Sequence, residues 1–155
     1  MTMIAAAALA KANATGRDIV DVTPASGLRY VSFAARRLAA GESMRGHDPA
    51  REACIGVLSG KVDGRAGTQT WRDLGDRASV FEEKSPFAVY VPAGVDYEVT
   101  AATDAEIAIG AAPGSGKIAA RVIEPSSMKR LTRGRDANTR YVCDILPQTE
   151  PAESL

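Results

Sequence analysis

The chain has 155 residues, with 19 Lys plus Arg balanced by 19 Asp plus Glu, and a single histidine. That length allows one domain around one core. A formal net charge of zero argues against both a basic nucleic-acid surface and a polybasic membrane patch.

Residues 1–17 open with an alanine-rich stretch, MTMIAAAALAKANATGR. Its first positive charge, Lys11, follows the apolar part instead of preceding it, so the pattern fits a short helical extension better than a secretory leader. From Asp18 to Pro125 the chain reads as strands. DIVDVTP (18–24) alternates and stops at proline. LRYVSFAARRLAAGE (28–42) puts Leu28, Tyr30, Ser32 and Ala34 on one side and Arg29, Val31, Phe33 and Ala35 on the other, and the pattern blurs at Arg36-Arg37. Residues 52–75 hold two strands around Asp63-Gly64, a dipeptide that signals a hairpin. Five short apolar segments follow between residues 78 and 125, each closed by Gly, Pro or Asp. Turns every 8–12 residues without a helical period predict an all-β barrel or sandwich.

GAAPGSGK (110–117) imitates a phosphate loop, but Ala111 replaces the first glycine and Ile118 the magnesium-binding hydroxyl, so it reads as a turn. Trp71, alternating with Arg72, reads as core or subunit interface, with a sugar platform as the alternative. Cys54 and Cys143 read as buried free thiols of a reducing cytoplasm. No apolar run reaches the roughly 18–20 residues of a membrane span. Residues 126–155 form a third region: a basic run, a short strand and the polar tail QTEPAESL. This region reads as a solvated linker. Its Arg133, Arg135 and Arg140 are candidates for an anion or interdomain contact.

Two segments resemble the paired motifs of the cupin superfamily: RLAAGESMRGHDPAREACIGVLSGKVDG (37–64) and SVFEEKSPFAVYVPAGVDYEVTAA (79–102). The resemblance implies a jelly-roll β-barrel. In that fold three histidines and one glutamate converge on a divalent metal. With VLSG (57–60) fixing the end of the first motif, those four positions are taken here by Arg45, His47, Glu52 and Tyr97. An arginine has no lone pair to offer and a neutral phenol is a poor ligand. Two donors remain, below the three that an open transition-metal site needs. The expectation is therefore no metal in this barrel and a degenerate pocket made of the four residues, with Arg45 and Glu52 able to pair across its mouth. The alternative is that Arg45 and His47 face solvent in a loop.

Further stretches narrow the resemblance. VTPASGLRYVSFAARRLAAGES, RASVFEEKSPFAVYVPAG, TAATDAEIAI and above all RGRDANTRYVCDILP are similar to the N-terminal half of the 5-deoxy-glucuronate isomerase family, the bicupin isomerases of inositol catabolism. The resemblance implies two fused barrels, of which residues 18–125 are the first and residues 126–155 lead toward the second. It implies a divalent metal only in that second barrel, a sugar acid as small-molecule partner, and a cytoplasmic homo-oligomer. No catalytic residue is carried over to this chain. The rival function is a non-enzymatic module that binds a sugar acid or another small anion at the degenerate pocket.

Overall fold

A computed structural model describes residues 18–22, 28 and 30–155. The expected extension over residues 1–17 lies outside the described residues. Eleven strands follow in order among them: β1 (Asp18–Val22), β2 (Ser32–Leu38), β3 (Ser43–Gly46), β4 (Arg51–Ala66), β5 (Gln69–Arg77), β6 (Phe87–Val91), β7 (Tyr97–Ala101), β8 (Ala105–Pro113), β9 (Arg121–Ile123), β10 (Lys129–Arg133) and β11 (Arg140–Asp144). All recorded pairings are antiparallel. The protein is all-β, as its turn spacing predicts, and has the cupin-type jelly-roll form that the motif resemblance implies.

The architecture turns on β4. Its first half lies between β8 and β6, in a sheet ordered β1-β2-β8-β4-β6-β9. Its second half lies between β5 and β7, and β7 also pairs with β3. One strand thus belongs to both walls of the barrel. The crossing is made at irregularities between Val57 and Ser59 and between Gly60 and Val62. Gly60 sits there at φ 76°, and a Cβ on it would come within 2.2 Å of the Asp104 carbonyl oxygen. Such bulges bend a strand and shift its phase. Ile55 and Val57 face the interior before the bend, and Val62 and Ala66 face it after. The inward set passes from odd to even positions, so both halves of one strand serve the same core.

That core gathers Val89 and Val91 of β6, Val99 of β7, Ile107 of β8, and Trp71 and Leu74 of β5. Trp71 is only 6% exposed and is a core residue, as expected. The Asp63-Gly64 pair is not the hairpin turn: β4 runs on to Ala66 and the chain reverses at Gly67 and Thr68. Gly64 is small for another reason. A Cβ on it would lie 2.3 Å from the Glu98 carbonyl oxygen and 2.5 Å from the Trp71 ring. The glycine lets the indole lie flat against the backbone of the facing strand. The blurred stretch at Arg36-Arg37 also remains strand, since its backbone pairs with Ile107 and Glu106 of β8, and the Arg37 side chain meets Glu106 at 2.7 Å.

A second apolar cluster lies on the opposite face of β4 and β6. Ala88, Tyr90, Ile123 and Met128 are buried there, with Cys54, Ile118, Cys143, Ile145 and Leu146 packed against them. The run FAVYV in β6 is apolar throughout because both of its faces are covered. The basic run within residues 126–155 is exposed to solvent, as its polarity predicts, but the region as a whole is folded. It holds the hairpin β10–β11 and a segment layered against the outside of the barrel. Both cysteines are free thiols, and burial pushes the Cys54 thiol up to about 11, which leaves it un-ionised and unreactive near neutral pH.

Gly64→Ala is expected to destabilise the fold by about 1–3 kcal/mol through overpacking against Trp71. Urea denaturation followed by the fluorescence of Trp71, the single tryptophan, checks this, with a blue-to-red shift at lower urea than in the parent chain.

Candidate functional site

The four residues placed by the motif resemblance border one cavity of about 530 Å³ at the barrel mouth, which Arg36 and Arg51 also line. Their side chains do not converge on one point inside it. Arg45 lies on β3 opposite Glu98 of β7 and donates to it through Nε at 2.9 Å and Nη2 at 2.8 Å. This pair, with Arg65 on the same carboxylate at 3.6 Å, holds the Glu98 carboxyl below its usual range. The Arg45 side chain remains 76% exposed. His47 follows β3 in a loop and meets Asp96 at 2.9 Å. Tyr97 lies across Gly46, where any Cβ would meet its ring at 2.2 Å. Burial pushes the Tyr97 phenol up.

Glu52 departs most from expectation. The phase of β4 puts Ile55 and Val57 in the barrel, so residue 52 takes the other face. Its carboxylate has no solvent exposure and makes no ion pair with Arg45. It accepts a short hydrogen bond from the Tyr90 hydroxyl. It also accepts the N–H groups of Glu153 at 2.9 Å, Ser154 at 2.6 Å and Leu155 at 2.7 Å. Burial works against its charge. The four hydrogen bonds outweigh burial, and the carboxyl titrates below its ordinary value. Tyr90 shifts the other way, raised by burial and by the neighbouring carboxylate.

A reciprocal contact completes this clasp. The Glu153 carboxylate accepts from Ser115 N at 2.8 Å, Ser115 Oγ at 2.6 Å and Lys117 N at 3.0 Å. These bonds hold its carboxyl down to about 2. The glycine-rich stretch that imitates a phosphate loop is not a simple turn: Gly110–Pro113 end β8 and residues 114–117 form a loop, whose N–H groups do gather an anion. The anion is a side chain of the same protein. Arg121 lies over the Tyr90 ring at 4.8 Å and donates to the Pro151 carbonyl at 2.7 Å. Gly114 makes room for all this, since a Cβ there would sit 3.1 Å from Glu52. Arg121 and Glu153 escape sequence reasoning entirely. Tyr90 leaves a trace, because a hydroxyl within a buried run must find a partner.

The donor set at the cavity does not suit a divalent cation. Glu52 is turned away and its oxygens are occupied, Tyr97 is a neutral phenol, and three arginines stand along the wall. Among the described residues no group of three or more His, Cys, Asp or Glu is arranged to hold a metal. Arg133, Arg135 and Arg140 lie elsewhere, exposed at and around the tip of the β10–β11 hairpin, where Arg133 and Arg140 face each other across the strands.

The family model of the KduI/IolB family matches residues 7–155. The chain belongs to the KduI/IolB family. It is 42% identical over 139 residues to the 5-deoxy-glucuronate isomerase of Geobacillus kaustophilus, a match that covers 89% of this chain and 50% of that one. The 5-deoxy-glucuronate isomerase of Geobacillus thermodenitrificans is 40% identical over 139 residues, with 89% and 51% covered. The crystal structure of an IolB-like protein from Salmonella typhimurium LT2 superposes with a TM-score of 0.89 at 33% identity, over 96% of this chain and 57% of that one. This KduI/IolB chain therefore spans about half the length of the curated relatives it matches.

Glu52→Gln is expected to cost about 3 kcal/mol, because one amide oxygen cannot satisfy donors that two carboxylate oxygens now share. Denaturant unfolding measures it, and cleavage by a protease within residues 147–155 should accelerate in the variant. A second expectation concerns acid. Both Glu52 and Glu153 titrate lower in the folded chain than their ordinary 4.5. Their contribution to stability is present above the ordinary value and fades as the pH falls through the lowered folded values, which for Glu153 is about 2. Thermal unfolding from pH 6 to pH 2.5 should show this loss, and Glu52→Gln should flatten the profile.

Proposed function

We propose that this chain serves 5-deoxy-glucuronate isomerisation in inositol catabolism as the barrel that carries no catalytic metal. The carrying observation is likeness to the isomerases along nearly all of this chain but only half of theirs. The chemistry of the cavity supports the same reading. An aldose–ketose isomerisation moves a proton between neighbouring carbons through an enediol, and it needs a polarised oxygen and a base poised beside it. The basic wall offers Arg36, Arg45 and Arg51, which donate but do not accept protons at neutral pH. His47, the one imidazole, is turned to Asp96, and Glu52 is bound on the far side of its strand.

On this reading the barrel supports a second barrel that does the chemistry. The exposed arginines Arg133, Arg135 and Arg140 supply contacts to it, and the whole works as a cytoplasmic homo-oligomer. Among the described residues no helix is long and apolar enough to cross a membrane.

The test is an isomerase assay on the 155-residue chain, alone and fused to the C-terminal half of the Geobacillus kaustophilus enzyme. The chain alone should give no turnover above background, and the fusion should give activity. Turnover by the chain alone at the rate of the full-length relative would overturn the division of labour. An inactive but folded fusion would count against membership in this reaction.

A further inference from the structure

We propose that the groove between the loop at residues 78–84 and the β10–β11 hairpin is the surface on which the second barrel docks, with Phe81 and Tyr141 as its anchors. The proposal rests on the two-barrel reading above and adds to it the place of contact and the chemistry of the partner's face. Phe81 is 91% exposed and Tyr141 is 82% exposed, and Val80 is exposed too. All three border one cavity of about 550 Å³, together with Arg77, Leu131 and Val142. An aromatic ring left in water forgoes the gain of burial, and aromatic residues set among arginines are the composition of interface centres.

The loop that presents Phe81 is fixed by its own hydrogen bonds. Arg77 is buried, and its Nη2 donates to the Val80 carbonyl at 2.8 Å. The Glu82 carboxylate accepts the Ala78 N–H at 2.6 Å, Ser79 Oγ accepts the Phe81 N–H at 3.2 Å, and Lys84 Nζ donates to the Asp76 carbonyl at 3.1 Å. Arg130 of β10 donates to the Glu83 carbonyl, and the Cys143 thiol of β11 donates to Ser85 Oγ at 3.3 Å. Loop and hairpin are therefore joined into one wall. An apolar side chain already held in place costs less to order on association.

Charge and chain direction select the occupant. Between residues 128 and 143 stand Lys129, Arg130, Arg133, Arg135 and Arg140 against one acid, Asp136. Among the described residues none of these five cations makes an ion pair. Two such surfaces repel, which disfavours a second copy of this chain across a two-fold axis and favours a partner with an acidic face. Cys143 of the hairpin and Ala152 of the tail pack against the same buried cluster, and the Leu155 N–H reaches Glu52 on that side of β4. A chain that continues, as in the isomerases of about twice this length, leaves the barrel on the face that carries the hairpin.

Hydrogen exchange tests this on two proteins, the full 155-residue chain and its fusion to the C-terminal half of the Geobacillus kaustophilus enzyme. In an active fusion the amides of residues 79–84 and 129–141 should exchange about tenfold more slowly than in the chain alone. Phe81→Ser combined with Tyr141→Ser alters exposed side chains, so the chain alone should unfold at its parent urea concentration, while the fusion loses that protection. Arg133→Glu combined with Arg140→Glu should also lower the protection, and decides the matter if the first pair destabilises the chain alone. Equal exchange of both segments in an active fusion overturns the docking surface and leaves the two-barrel reading standing, and so does protection that survives both double variants. A folded fusion without isomerase activity overturns the two-barrel reading, and the docking surface with it.

Discussion

A carboxylate cut off from water keeps its charge only if dipoles or cations nearby answer it. At Glu52 the answer comes from one phenol and three successive backbone N–H groups, and much of this protein's outer layer depends on that arrangement. The three amides belong to residues a hundred positions later in the chain. Their binding fixes the polar tail against the barrel, which in turn covers Tyr90 and closes the second apolar cluster. Glu153, in the same tail, is then in place to accept the loop amides at Ser115 and Lys117. Glu52 organises the backbone that carries Glu153, and Glu153 in turn organises the loop after β8.

The clasp also bears on what the barrel can do. A strand residue serves one face only, so a glutamate committed to the outer face is withdrawn from the cavity. The residue before it, Arg51, then faces inward. A pocket that in the cupin pattern would present a carboxylate to a cation presents a guanidinium instead. The same alternation that builds the outer cluster therefore places the Arg51 guanidinium, and not the Glu52 carboxylate, on the cavity side. Family membership, shared with isomerases twice as long, and the chemistry of this cavity meet at that point.

The bend in β4 is the second organising constraint. Without the irregularities around Gly60, a 16-residue strand would pass out of one sheet, and its inward set would turn to solvent beyond Val57. The shift of phase keeps Val62 and Ala66 in the core and lets Trp71 lie on Gly64. Asp63-Gly64 carries a turn signal in sequence because the same small residue answers two different needs. Here close approach of an indole, and not a reversal of the chain, accounts for it.

Much of the fold was legible in local patterns. Alternation and turn spacing specify short antiparallel strands, Pro92-Ala93-Gly94 marks a turn with Gly94 at φ 78°, and the apolar run 87–91 marks a strand covered on both sides. Residue chemistry alone also argued that Arg45 and Tyr97 would make poor ligands, since lone pairs do not depend on the fold. Four residues bordering one cavity could be named from motif spacing. What tertiary structure decided was direction. Whether residue 51 or residue 52 looks into the barrel depends on strand phase, which a single shift of register inverts. Whether QTEPAESL is free or fastened depends on a buried acceptor far away in sequence. Contacts across such separations leave little local periodicity to read, because the partners are matched by geometry and charge only once the barrel has formed.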